Sequence, residues 1–164
     1  MRPTCREISG FTMIEMMITL AVAGVLALLA APAMTTLIQT QQARTAASEL
    51  HGALNFARSE ALKRGVSIEV VPVSGDWKNG WRVQLADGSS LRSWPALNPN
   101  LASITTGTIT YRADGHTTAA PSAMVVRSAS NTQVTARCVF VDLSGRPALI
   151  ADTDANPGNG CQPQ

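Results

Sequence analysis

The chain has 164 residues, 45% of them hydrophobic and only 15% charged, with 13 Lys and Arg against 11 Asp and Glu. Such a balance excludes a disordered chain, and a formal charge of +2 excludes a dedicated nucleic-acid module with a strongly basic surface. The length suits one globular domain of ordinary size, and with three Phe, three Trp and one Tyr its core must be built mostly from Ala, Val, Leu and Ile.

Residues 1–10 are polar and carry Arg2, Arg6 and Cys5, whereas residues 16–38 hold no charge at all. The uncharged run is long enough to cross a hydrocarbon layer of about 30 Å as a helix. Positive charge ahead of it places the N-terminus in the cytoplasm and the rest of the chain outside. A cleavable secretory signal, cut at small residues such as Ala30 and Ala31, is the rival reading. Two features count against it. The run exceeds the usual apolar core of about 7–15 residues, and Glu15 stands at its start, where an unpaired charge is costly and asks for a functional reason. Pro32 lies inside the run and, lacking a backbone donor and clashing with the preceding turn, is expected to kink or locally melt the helix.

The succession Gly10, Phe11, Thr12, Met13, Ile14, Glu15, followed by an unbroken apolar helix, resembles the class III signal of type IV pilins and pseudopilins. The resemblance implies cleavage after Gly10 by a prepilin peptidase and methylation of the new N-terminal residue, Phe11. It also implies that Glu15 neutralises the N-terminal ammonium during assembly, where an unpaired charge is expensive. Many pilins carry a proline at the place of Pro32, although an ordinary membrane-helix proline fits the local physics equally well.

Beyond residue 38 the helix continues, because Ala43, Ala47, Leu50, Leu54, Ala57 and Ala61 recur in steps of four and three and trace one apolar stripe. Arg44, Glu49, Arg58, Glu60, Lys63 and Arg64 are expected to solvate the other face, and Gly65 to cap the end. A helix over 11–64 is roughly 80 Å long at about 1.5 Å per residue. From residue 66 the pattern changes to short strands at 66–73, 80–85, 91–94, 108–112, 123–127 and 133–141, separated by turns at Gly75-Asp76, Asp87-Gly88, Asn98 to Asn100, Asp114-Gly115 and Ser144-Gly145. Trp81, Val83 and Leu85 alternate with Arg82 and Gln84, as in an antiparallel sheet lying on a helix. The fold class is therefore α+β. Small-residue stretches at 105–110 and 117–122 are expected to be mobile.

The run from Ala47 through Ala57, Arg58, Ser59, Glu60 and Ala61 to Gly65, then Trp77, Trp81 and Asp87-Gly88, is similar to the GspH/FimT family of minor pilins and pseudopilins. With the N-terminal signal, the resemblance covers nearly the whole chain. It implies a type IV pilin-like fold: a leader at 1–10, a transmembrane and assembly helix at 11–38, and a periplasmic domain at 39–164. It further implies a low-abundance subunit near the tip of a type IV pilus or type II secretion pseudopilus that helps assembly begin. Its partners would be other major and minor pilins, the prepilin peptidase and the inner membrane. On bare physics Ala57 and Ala61 are helix core while Trp77 and Trp81 anchor a sheet.

Cys138 and Cys161 lie in the extracytoplasmic part and are expected to pair, pinning the C-terminal tail to a strand for roughly 3 kcal/mol; Cys5 would leave with the leader. Asp152, Asp154 and Asn156, with Gly158 and Gly160, distantly resemble a calcium loop, but the glycine and glutamate positions do not match and a solvated acidic turn is the better reading, so no metal site is expected. Pilus-type members often show Gly-Arg-x-Arg after the Cys138 strand, associated in some with DNA binding. Here Gly145-Arg146 is followed by Pro147 and Ala148, so the second arginine is missing. DNA uptake thus stands as the alternative function, with Arg146, Arg137 and Arg127 as possible contacts. His51 and His116 have no Ser, Cys or carboxylate at motif spacing and read as surface residues, so no catalytic residue, enzymatic activity or cofactor is expected. Between the two machines, the Gly-Arg turn and the C-terminal cysteines favour the pilus.

Overall fold

The computed structural model describes residues 11–103, 107–119, 124–152 and 161, the side chains of 29–32 excepted. The chain divides after Thr35 into two compact units. One helix, α1 (Met13–Arg64), supplies nearly all of the described residues of the first and the spine of the second. In the first unit every described side chain is exposed, large apolar ones such as Ile14, Leu20 and Leu28 included. Neither Met13–Leu28 nor Ala33–Arg64 is by itself long and apolar enough to cross a membrane; by length and composition, the pair together is.

The second unit wraps two antiparallel four-stranded sheets around the C-terminal half of α1. The first is ordered β3-β2-β1-β5 and built from β1 (Ile68–Pro72), β2 (Trp81–Leu85), β3 (Ser90–Trp94) and β5 (Ile109–Tyr111). The second is ordered β4-β6-β7-β8, from β4 (Leu101–Ser103), β6 (Met124–Ser128), β7 (Arg137–Val141) and β8 (Pro147–Ala151). The stripe read from the sequence is the helical side of the core: Ala43, Ala47, Leu50, Leu54, Ala57 and Ala61 are all buried, joined by Ala46 and Ala53. So many alanines let the strands come close to the helix backbone, and the bulk comes from the sheets instead.

On the first sheet that bulk is Trp81, Val83, Ile68, Val70 and Tyr111, while Glu69 and Gln84, paired across the strands, hydrogen-bond on the outer face at 3.1 Å. Trp81 lies opposite Trp94 in the register, their rings stacked 6.4 Å apart. Gly80 permits this corner: a Cβ there would stand 2.4 Å from the Trp94 carbonyl oxygen. On the second sheet Met124, Val126, Val139 and Val141 face the main core, whereas Val125, Ala136, Cys138 and Cys161 form a small cluster on the other face. Cys138 and Cys161 are joined by a disulfide, Cα atoms 6.1 Å apart, which brings the C-terminal tail over that face.

Several expectations need correction. The strand expected at 133–141 begins only at Arg137, because Asn131 accepts the amide of Gln133 on its side chain at 3.0 Å and turns the chain first. β4 and β8 were not foreseen; β8 opens on Pro147 at a sheet edge, where a missing N–H is tolerated. Of the stretch expected to be mobile, Ile109 and Thr110 pair with Val70 and Glu69, and Thr117 is buried with its hydroxyl donated to the Asp142 carbonyl at 3.0 Å. Glu60, expected in solvent, is buried and paired with Arg64, whose guanidinium holds its carboxyl below the ordinary value.

Candidate functional site

At the N-terminus Gly10 lies outside the described residues, and Phe11 is exposed. Thr12 and Glu15 bond reciprocally: the Glu15 amide donates to Thr12 Oγ1 at 3.3 Å, and the Thr12 amide donates to Glu15 Oε2 at 3.4 Å. This capping box satisfies two amides that the start of a helix leaves without partners, and it sets a carboxylate at the positive end of the helix dipole. Sequence reasoning singled out Glu15 for its charge and missed its link to Thr12. The signal was there, a threonine three residues ahead of a glutamate before an apolar run. The expected kink at Pro32 falls on side chains outside the described residues.

The second place where predicted residues converge is the turn between β7 and β8. The Asp142 carboxylate accepts the Ser144 hydroxyl at 2.6 Å and the Arg146 amide at 2.9 Å, and these bonds hold its pKa below the ordinary value. Gly145 has φ +75, and a Cβ there would meet the Gly115 carbonyl oxygen at 2.0 Å, so only glycine fits against the neighbouring loop. From α1, Arg58 donates through Nε to the Gly115 carbonyl and through Nη2 to the Ser144 carbonyl, each at 3.2 Å. His51, one side of the same helix, reaches the Pro147 carbonyl at 3.3 Å. Underneath lies Tyr111, whose burial pushes its hydroxyl pKa up. Two segments picked out separately in the sequence, Ala57 to Ala61 and Ser144 to Arg146, are therefore one assembly. Arg58 and His51 are half-buried staples rather than solvated surface residues.

The three arginines considered for DNA do not meet. Arg146 is exposed on the turn. Arg137 pairs with Val126 and shares its core-facing side of the sheet, where burial and the nearby Arg44 lower its pKa. Arg127, next to Val126 in β6, projects from the opposite face. Along β7 the Arg137 end and the Arg146 turn are about 13 Å apart at ~3.3 Å per residue. Asp152 is buried, its amide donating to the Ala136 carbonyl at 3.0 Å, whereas Asp154, Asn156, Gly158 and Gly160 lie outside the described residues. Among the described residues no group of three metal-ligating side chains occurs. His116 is exposed, with Nδ1 3.5 Å from Asp114.

Comparison with known families places two matches on the chain. The family described as "Type II transport protein GspH" matches residues 46–145, and the "Prokaryotic N-terminal methylation motif" matches residues 5–31. Among solved structures, the type IV minor pilin FimU of Pseudomonas aeruginosa is similar, with 24% identity and a TM-score of 0.58 over 67% of this chain and 89% of that one. A second crystal form of FimU gives a TM-score of 0.54 at 24% identity, covering 65% and 91%. The minor pseudopilin EpsH from the type 2 secretion system of Vibrio cholerae gives 0.52 at 16% identity, covering 67% and 97%. At these identities the likeness establishes the fold, a long N-terminal helix packed on antiparallel sheets. No curated protein matches the sequence closely enough to carry an argument.

Proposed function

The chain belongs to the GspH family, and on that premise we propose that it is made as a single-pass inner-membrane precursor, cut after Gly10, methylated at Phe11 and inserted near the tip of a filament that it helps to start. It is a minor pilin or pseudopilin, a membrane-anchored subunit that assembles with other pilins. The observation that carries the reading is the methylation motif over residues 5–31, which runs into the uncharged stretch 16–38, followed by a GspH match over 46–145.

Each stage follows from the chain's own chemistry. Cleavage after Gly10 by a prepilin peptidase leaves Phe11 with a new ammonium, one residue from the Thr12 amide that Glu15 already holds. The same carboxylate serves to compensate that charge as the helix leaves lipid for the filament, and it restricts how neighbouring helices can be staggered. The exposed apolar side chains of the first unit supply the packing surface. The sheet domain, periplasmic in this reading, selects partners.

The test is deletion of the gene with a complemented control, reading surface pili by electron microscopy and secreted proteins in the medium. Loss of pili restored by complementation places the subunit in the type IV pilus. Intact pili with lost secretion place it in the type II pseudopilus. Unchanged pili and unchanged secretion overturn the assembly role.

A further inference from the structure

The loop 129–136 between β6 and β7 borders a pocket of about 280 Å³ at one end of the second sheet. Two side chains fix this loop. Ser128 donates its hydroxyl to Gln39 Oε1 at 3.3 Å and accepts the Asn131 amide at 3.1 Å. Asn131 donates from Nδ2 to Thr36 Oγ1 at 3.1 Å and accepts the Gln133 amide at 3.0 Å. With the Ala129 amide donating to the Asn100 carbonyl at 2.8 Å, the loop is tied both to α1 and to the segment before β4, so the pocket is formed before any ligand arrives. Ser130, Thr132, Gln133 and Thr135 take no part in that framework; they are exposed and line the pocket. Further in, half-buried Arg127 and buried Asp152 add one charge of each sign. The Asp152 amide continues the β7–β8 ladder to the Ala136 carbonyl, which puts its side chain on the face of Ala136, the face from which Arg127 also projects.

We propose that this pocket binds one neutral sugar ring, free or at the end of a glycan. Four features select that chemistry. The volume lies just under the ~300–1,000 Å³ of ordinary small-molecule sites, room for one ring and not for a chain. The charges of Arg127 and Asp152 balance, so neither an anion nor a cation gains net attraction, whereas a ring hydroxyl can donate to the carboxylate and accept from the guanidinium. Three loop hydroxyls and the Gln133 carboxamide each donate and accept, as the hydroxyls of a sugar do, so the two sets match without leaving a donor facing a donor. Lastly, buried Val134 and Ala136 give the C–H face of the ring a small apolar surface. This binding role goes beyond assembly and does not depend on which filament the subunit serves.

The experiment follows backbone amides by NMR in the full, isotope-labelled chain, held in a phosphocholine detergent because that detergent carries no sugar. Glucose, galactose, mannose and N-acetylglucosamine are each added to about 50 mM, enough to fill most sites at a Kd of ~10 mM. At least one of them shifts the amides of residues 127–136 and 152 saturably and leaves those of β1 to β3 in place. Arg127→Ala and Asp152→Asn each raise the Kd for that sugar about tenfold, and the exposed Thr132→Val and Gln133→Ala raise it about threefold. Should Asp152→Asn fail to fold, the two exposed variants carry the test. A trisaccharide ending in the same sugar separates the sources: tighter binding than the single ring identifies a glycan end, and equal binding a free sugar, either of which sustains the proposal. The proposal is overturned if no sugar moves these amides, if the Kd is the same in every variant, or if glycine or inorganic phosphate binds there more tightly than every sugar.

Discussion

Leu26 and Leu54 belong to one helix and meet opposite fates, the first 61% exposed and the second fully buried. The difference lies in their neighbours around the helix. Near Leu26 every side chain is uncharged, so no face is marked for burial within the chain. Near Leu54 the alanines and leucines keep to one side, and both sheets close over it. A helix apolar all round calls for apolar surroundings, whereas a helix with a stripe calls for a partner surface in the same molecule. One stretch is finished by folding, and the other keeps its apolar side chains exposed.

The largest effect expected separates these two stretches directly. Leu54→Ala costs the domain about 3 to 4 kcal/mol by leaving a cavity, and Leu26→Ala leaves its stability unchanged, both read by denaturant unfolding of the chain in detergent. Equal losses would show that the first stretch also packs within the chain. Next comes Gly145→Ala, which sets a methyl group against the Gly115 backbone and costs about 3 kcal/mol in the same assay. Arg58→Ala strips hydrogen bonds from two carbonyls and costs about 2 kcal/mol, more than Arg58→Lys, which keeps one donor in reach.

A smaller effect concerns acid. Asp142 has a lowered pKa in the fold, so its stabilising contribution is complete above the ordinary value of 3.8 and disappears as pH falls through the lower folded value. Unfolding followed against pH is therefore expected to show a loss below 3.8 that is smaller in Asp142→Asn. The smallest effect belongs to Arg146→Ala, whose exposed side chain is worth less than about 0.5 kcal/mol to the fold. A fall in salt-dependent DNA retention by that variant would make DNA capture a second role for the turn.

Much of the fold was legible because its signals are local. The uncharged run, the stripe from Ala43 to Ala61, the alternation in β2 and the turn glycines each depend on residues within a few positions of one another. The strand at β8 was hidden because its opening Pro147 reads as a breaker, and only its place at a sheet edge removes the objection. The start of β7 was misjudged because the side chain of Asn131 competes for backbone bonds that a strand would use. The disulfide between Cys138 and Cys161 was foreseen from the compartment, but not that it would form a second cluster with Val125 and Ala136.

The roles of Arg58 and the arginines of β6 and β7 were out of reach for another reason. Arg58 reads as one charge on a solvated helix face until two loops distant in sequence, at Gly115 and Ser144, are brought over it. Arg127 and Arg137 read as partners for Arg146 until pairing in register sends them to opposite faces of one sheet. The sequence by itself determined the helix, its change of character, the class of strand that follows and the family, since periodicity, charge and short motifs are properties of neighbouring residues. Only the tertiary structure decided which polar groups act as staples and which arginines stand apart, because those depend on contacts between residues far apart in the chain.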